Sequence, residues 1–223
     1  MPKRLIPLIT SQIYHIYNRS IDGIPIFSNK KTVNRTLDAI KYYKLIDTPV
    51  KLSYFLHWPA DKKNNFNKES ITKNKNYITL FAYCLMPNHF HLLLRQERDN
   101  GISKFMSNIQ NSITRYVNSA TKRKGHIFQG QFKSVLIESN EQLLHVSRYI
   151  HLNPFNSYIV KNIESLEKFM WSSLYEYLNG DAQLCNTKLI LSNFKDPQNY
   201  WKFIKDQSDY QRKLESIKHL ILE

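Results

Sequence analysis

Hydrophobic and polar residues alternate through SQIYHIYNRS (11–20), with Ile13, His15 and Tyr17 on one side and Tyr14 and Ile16 on the other. A period of two predicts a strand. The period then changes: in NKKTVNRTLDAIKYYKLI, Val33, Leu37, Ile40 and Lys44 recur at helical spacing behind Asn29, a capping residue. YITLFAYCL (77–85) is a second strand, and HFHLLLRQ (89–96) returns antiparallel after a tight turn at MPN. Pro87 presets the backbone of that turn and Asn88 tolerates the position after it. On the returning strand His89, His91, Leu93 and Arg95 share one face, and Phe90, Leu92 and Leu94 the other. Ile102, Phe105, Ile109, Ile113, Tyr116 and Ala120 mark a long amphipathic helix, with Gly125 as its stop after a basic loop, TKRKGH. IFQGQFKSVLIES reads as a fourth strand. SNEQLLHVSRYIHLNP reads as a helix with a Ser139–Gln142 capping box, a Leu143–Val146–Ile150 stripe and Pro154 as terminator.

The order strand, helix, strand, strand, helix, strand, helix predicts an α+β chain. Its first six elements match a ferredoxin-like split βαβ sandwich, an antiparallel sheet with helices on one face. Residues 1–160 form this domain. Between 47 and 76, VKLSYFLHWP reads as a short helix and ADKKNNFNKESITKNKN as a mobile, basic, Asn-rich insert. Residues 161–223 read as a mostly helical C-terminal extension, a small unit of its own.

Composition narrows the class. Two cysteines, Cys84 and Cys185, exclude a disulfide framework and suit a reducing cytoplasm. No apolar run reaches the length of a membrane span or a secretory signal. The expectation is a cytoplasmic protein with no membrane partner. Charge adds more. Lys and Arg outnumber Asp and Glu by 14 to 5 over residues 1–76 and by 7 to 2 over 102–160, yet the tail from 161 is balanced at 9 to 9. An excess confined to part of the chain points to a polyanion such as nucleic acid.

Candidate chemistry starts at the histidines. His89 and His91, two apart on a strand, present both rings on one face within reach of one divalent cation. Two ligands make a weak site, and the alternative is a pair of partly exposed histidines at a sheet end. The last helix of the sandwich offers a third ligand, because Tyr149 and Asn153 lie four apart and share a face. Asn153 carries a carbonyl oxygen suited to Mg²⁺ or Mn²⁺, although it also reads as a helix cap before Pro154. Tyr149 carries a phenol able to act as a nucleophile. A metal on His89, His91 and Asn153 would grip a phosphodiester while Tyr149 attacks phosphorus, leaving a 5′-phosphotyrosine and a free 3′-hydroxyl. Tyr116 competes as nucleophile, but it lies on the apolar stripe of its helix and lacks an amide four residues on. Arg115, Lys122, Arg123, Lys124 and Lys133 flank this region in sequence and are candidate phosphate contacts. His126, Phe128, Tyr14 and Tyr17 could stack on splayed bases but read first as core. His151 reads as structural and Cys84 as a buried strand residue.

YCLMPNHFHLLL, GHIFQGQFKS and SRYIHLNP, with YHIYNRSIDG upstream, together resemble the single-tyrosine HUH transposases of the insertion-sequence and REP-associated kind, over roughly residues 9–180. The resemblance implies that His89 and His91 are the HUH pair, Tyr149 the nucleophile and Asn153 the third ligand. It implies a metal-dependent single-stranded DNA endonuclease and strand transferase acting beside DNA hairpins, as a monomer or homodimer. The alternative is a domesticated module that binds DNA or RNA hairpins without cutting. One departure is Gln131, in Gly130-Gln131-Phe132, where many relatives carry arginine.

Overall fold

The computed structural model describes residues 7–72, 76–206 and 208. Strand β1 (Ile13–Arg19) buries alternate residues as its pattern requires, and β2 (Ile78–Met86) and β3 (His89–Gln96) form the expected hairpin. The fourth strand is shorter than its sequence suggests: β4 is only Lys133–Leu136. The sheet order is β2-β3-β1-β4, with every neighbouring pair antiparallel. β1 and β2 therefore run parallel on either side of β3, the split βαβ arrangement.

Helix α1 (Lys30–Tyr43) begins where expected, with the Asn29 side chain accepting from the Thr32 amide. The insert corrects the sequence reading. Behind a short α2 (Leu52–Phe55), the Asn-rich stretch is a helix, α3 (Ala60–Thr72). Phe66 anchors it against Phe55 and Trp58, so one aromatic cluster overrides a polar composition. Helix α4 (Gly101–Thr121) ends at Lys122, whose backbone is left-handed and donates to the Asn118 carbonyl, rather than at Gly125. Helix α5 (Asn140–Asn156) is capped by Ser139, which accepts from the Gln142 amide. Pro154 does not terminate α5 but lies inside its last turn; the chain closes two residues further on, where the Ser157 amide reaches the Asn153 carbonyl.

Two hydrophobic cores cover the two faces of the sheet. Phe90, Leu92 and Leu94 of β3 pack with Ile16, Ile40, Phe105, Ile109 and Ile113, so α1 and α4 share one face as the six-element sandwich predicts. Leu93, Phe81, Ala82, Cys84 and Met86 pack instead with Leu143, Ile150 and Leu152, so α5 covers the other face. The register break between Leu80 and Ala82 changes which β2 residues face each side. Cover on both faces explains why ITLFAYCLM is apolar almost throughout.

The chain beyond 160 shares the second core and is not detached. α6 (Leu174–Asn179), α7 (Lys188–Leu191) and α8 (Pro197–Lys205) place Leu174, Tyr177, Ile190, Tyr200 and Ile204 against α5 and β2. The outer edge of β2 is also satisfied, because Leu85 donates to the Trp171 carbonyl and Ser173 donates to the Tyr83 carbonyl. His151, buried, lies 2.8 Å from both Tyr200 Oη and Ser173 Oγ, which ties α5 to the extension. The rest of the predicted terminal helix lies outside the described residues. Among the described residues no helix is long and apolar enough to cross a membrane.

Candidate active site

The second face carries apolar residues over most of its area and polar ones at one end. There β3 supplies His89 and His91, β1 supplies His15 and Tyr17, and α5 lays Tyr149 and Asn153 across them. Strand order creates this grouping, since β1 is the neighbour of β3 and Tyr17 pairs with His91 in register. The His15 and His91 rings stack at 5.1 Å between centroids. Tyr149 meets both edge-on, at 5.4 Å from His91 and 6.0 Å from His15.

Hydrogen bonds fix the tautomers. His89 Nδ1 lies 2.7 Å from Asn88 Oδ1; a carbonyl oxygen only accepts, so Nδ1 carries the proton and Nε2 a lone pair. His91 Nδ1 lies 2.9 Å from His15 Nε2, and His91 Nε2 faces the Asn153 amide nitrogen at 3.4 Å. Nε2 therefore accepts, and Nδ1 donates to His15. His89 and His91 thus both hold Nδ1 in a hydrogen bond and keep Nε2 basic, the arrangement that orients metal-binding histidines.

All three rings are held neutral. Burial lowers His89 to about 4, with the nearby Arg19 cation adding to the fall and the polar side chain of the neighbouring Asn153 opposing it. Burial also lowers His15 to about 4. His91 falls well below its ordinary value through burial, then through the neighbouring His15, His89 and Arg19. Neutral imidazole is the form that binds a metal.

Asn153 is the most telling residue. It is buried, its nitrogen makes only the long contact to His91, and its Oδ1 is buried with no hydrogen-bond partner. A buried amide oxygen without a partner costs about 1–3 kcal/mol. Its position between two basic Nε2 atoms fits a cation that would accept all three lone pairs. Among the described residues no group of three His, Cys, Asp or Glu side chains could hold a metal ion, so such a centre depends on this amide. Two imidazoles and a hard oxygen suit Mn²⁺ and are tolerable for Mg²⁺.

The other candidates divide by face. Tyr116 packs on the first core with α1 and α4, where Arg35 lies over its ring at 5.8 Å; the sheet separates it from the histidines. Lys133, exposed on β4, pairs with Tyr17 and shares its face. Arg115 is exposed on α4, and Lys122, Arg123 and Lys124 follow in its C-terminal loop. That loop leads to Gln129, which donates to the Arg19 carbonyl at the histidine end of the sheet. Tyr14 and Phe128 are buried in the first core, whereas His126 is exposed. His15 and Arg19 were not among the sequence candidates. The signal for His15 was present, since it and Tyr17 share one side of β1, but only the neighbour relation of β1 and β3 gives it meaning.

Residues 59–153 match the family model described as transposase IS200-like. The resemblance read from the sequence stands. Among solved structures, one described as the REP-associated tyrosine transposase bound to a REP hairpin matches with a TM-score of 0.51 at 14% identity, over 84% of this chain and 90% of that one. At that identity the likeness is one of fold. No curated protein matches significantly. The family segment contains His89, His91, Tyr149 and Asn153 and ends at Asn153.

Proposed function

We propose that this chain is a metal-dependent single-stranded DNA endonuclease and strand transferase acting at hairpin-bearing DNA. The observation that carries the reading is the convergence of His89, His91 and Asn153, with the Tyr149 ring against His91. A divalent cation, Mg²⁺ or Mn²⁺, held by those three side chains would draw charge from a bound phosphodiester. The Tyr149 phenol oxygen attacks phosphorus, and the bond from phosphorus to the 3′-oxygen breaks. The phenol proton is lost to solvent, and the departing 3′-oxygen takes one up. The product is a 5′-phosphotyrosine, which a second 3′-hydroxyl can attack, releasing the phenol and rejoining DNA without ATP. His15 acts through His91: by accepting a hydrogen bond from its Nδ1–H, it keeps Nε2 aimed at Asn153. Lys133, Arg115 and the 122–124 loop supply positive charge for the DNA backbone.

The test is covalent trapping. Labelled single-stranded DNA carrying a hairpin, incubated with the protein and Mg²⁺ or Mn²⁺, should yield a protein–DNA adduct. Tyr149→Phe should reduce it to background, while Tyr116→Phe, on the opposite side of the sheet, should leave it unchanged. Retained hairpin binding with no adduct from any DNA would assign the chain to the non-cutting alternative.

A further inference from the structure

A cavity of about 320 Å³ opens beside His89, at the end of the site away from Tyr149. Its size is at the lower end for small-molecule sites, about 300–1,000 Å³. Pro87 and Ile159 give it apolar walls, and Arg19, Asn88 and Asn156 give it polar groups. Asn156 is buried, and its Oδ1 has no hydrogen-bond partner. It lies three residues beyond Asn153, on the same side of α5. Tyr158 stands at the rim, 60% exposed, with φ at 57°. A left-handed backbone at an exposed aromatic residue is held at some cost, and such strain gathers at ligand sites. Arg19, the register partner of His89, is exposed.

We propose that this cavity is a base pocket for the nucleotide that bears the departing 3′-oxygen. The inference rests on the function proposed above. Geometry gives the side: Tyr149 contacts His91 and His15, whereas the cavity borders His89 and Asn88. In-line attack puts the departing oxygen opposite the attacking phenol, hence toward His89 and the cavity. There the base, unstacked from its neighbours, lies between Pro87 and Ile159 and stacks on Tyr158 at the mouth. The Asn156 amide meets a polar edge of the base and satisfies its own orphan oxygen. Arg19 takes a phosphate oxygen.

Two hairpin substrates test this: one with its natural base at the nucleotide immediately 5′ of the scissile phosphate, and one abasic there. With wild-type protein the abasic substrate should give about tenfold less covalent adduct per unit time, in the range expected for one stacked base. Asn156→Leu, which keeps the branched shape but removes the amide, and Tyr158→Ala, at an exposed position, should each slow adduct formation on the natural substrate. On the abasic substrate each should match wild type, so the ratio between substrates collapses toward one. A variant that slows both substrates equally, or a wild-type ratio of one, overturns the pocket while leaving the proposed chemistry intact. If no substrate yields any adduct, the proposed function fails and the pocket fails with it.

Discussion

The two faces of one sheet, built from the same strands, do different things. Toward α1 and α4, β3 presents Phe90, Leu92 and Leu94 to an apolar core. Toward α5 it presents Leu93 to a core of the same kind, but also His89 and His91, with His15 and Tyr17 beside them on β1. On the first face apolar side chains are buried against each other, each large one contributing about 1.5–3 kcal/mol. At the polar end of the second, imidazoles are buried as neutral bases and an amide oxygen is left without a partner. The first face holds the sheet rigid. The second uses part of that rigidity to fix the basic nitrogens on which the proposed metal site depends.

The sharpest way to break this comparison is to alter adjacent residues of β3 that point to opposite faces. Phe90→Ala should cost about 3–5 kcal/mol of stability through loss of packing against Phe27 and Phe128. His91→Ala should cost about 1 kcal/mol yet abolish the covalent adduct. Urea denaturation and adduct trapping on both variants decide the matter. Equal loss of stability would mean that the second face is simply another core.

The pairing of His15 with His91 comes next. His15→Phe should weaken Mn²⁺ binding about 10- to 100-fold, the usual effect of removing a partner that orients a metal-binding histidine, as measured by calorimetric titration. Nitrogen NMR of the His91 ring, without metal, should show the proton leaving its fixed place on Nδ1. His15→Gln retains an acceptor and should recover most of the affinity. Unchanged Mn²⁺ binding in His15→Phe would reduce His15 to a packing residue.

A further effect separates the faces by pH. The second face buries His151, lowered by burial to about 3. The unfolded chain takes up a proton there below about pH 6.5, and the folded chain does not. Stability is therefore full above 6.5 and falls as pH drops toward 3, by up to about 1.4 kcal/mol per pH unit from this residue. His151→Gln should flatten the decline of the urea midpoint between pH 6.5 and 4. An identical slope in the variant would show that His151 titrates alike in both states.

How much of this was legible beforehand follows from what each signal depends on. The alternation of β1 and β3, the helical spacing of α1, α4 and α5, and the caps at Asn29 and Ser139 depend on a few neighbouring residues. They read directly, as did the shared face of His89 and His91. Boundaries set by longer-range packing did not. α3 is a helix because Phe66 finds Phe55 and Trp58, and α5 runs past Pro154 because its last turn is buried.

The sequence by itself determined that two imidazoles sit on one side of a hairpin and that Tyr149 and Asn153 share a helix face. Both follow from fixed periods of two and 3.6 residues. The tertiary structure alone decided that these faces meet. It set α5 on the side of the sheet opposite α1 and α4, which put Tyr149 on the histidine face and Tyr116 on the other. It also made β1 the neighbour of β3, which brought His15 and Arg19 to the site. Layer and strand order are settled by burial summed over the whole chain, and no local pattern of residues carries that sum.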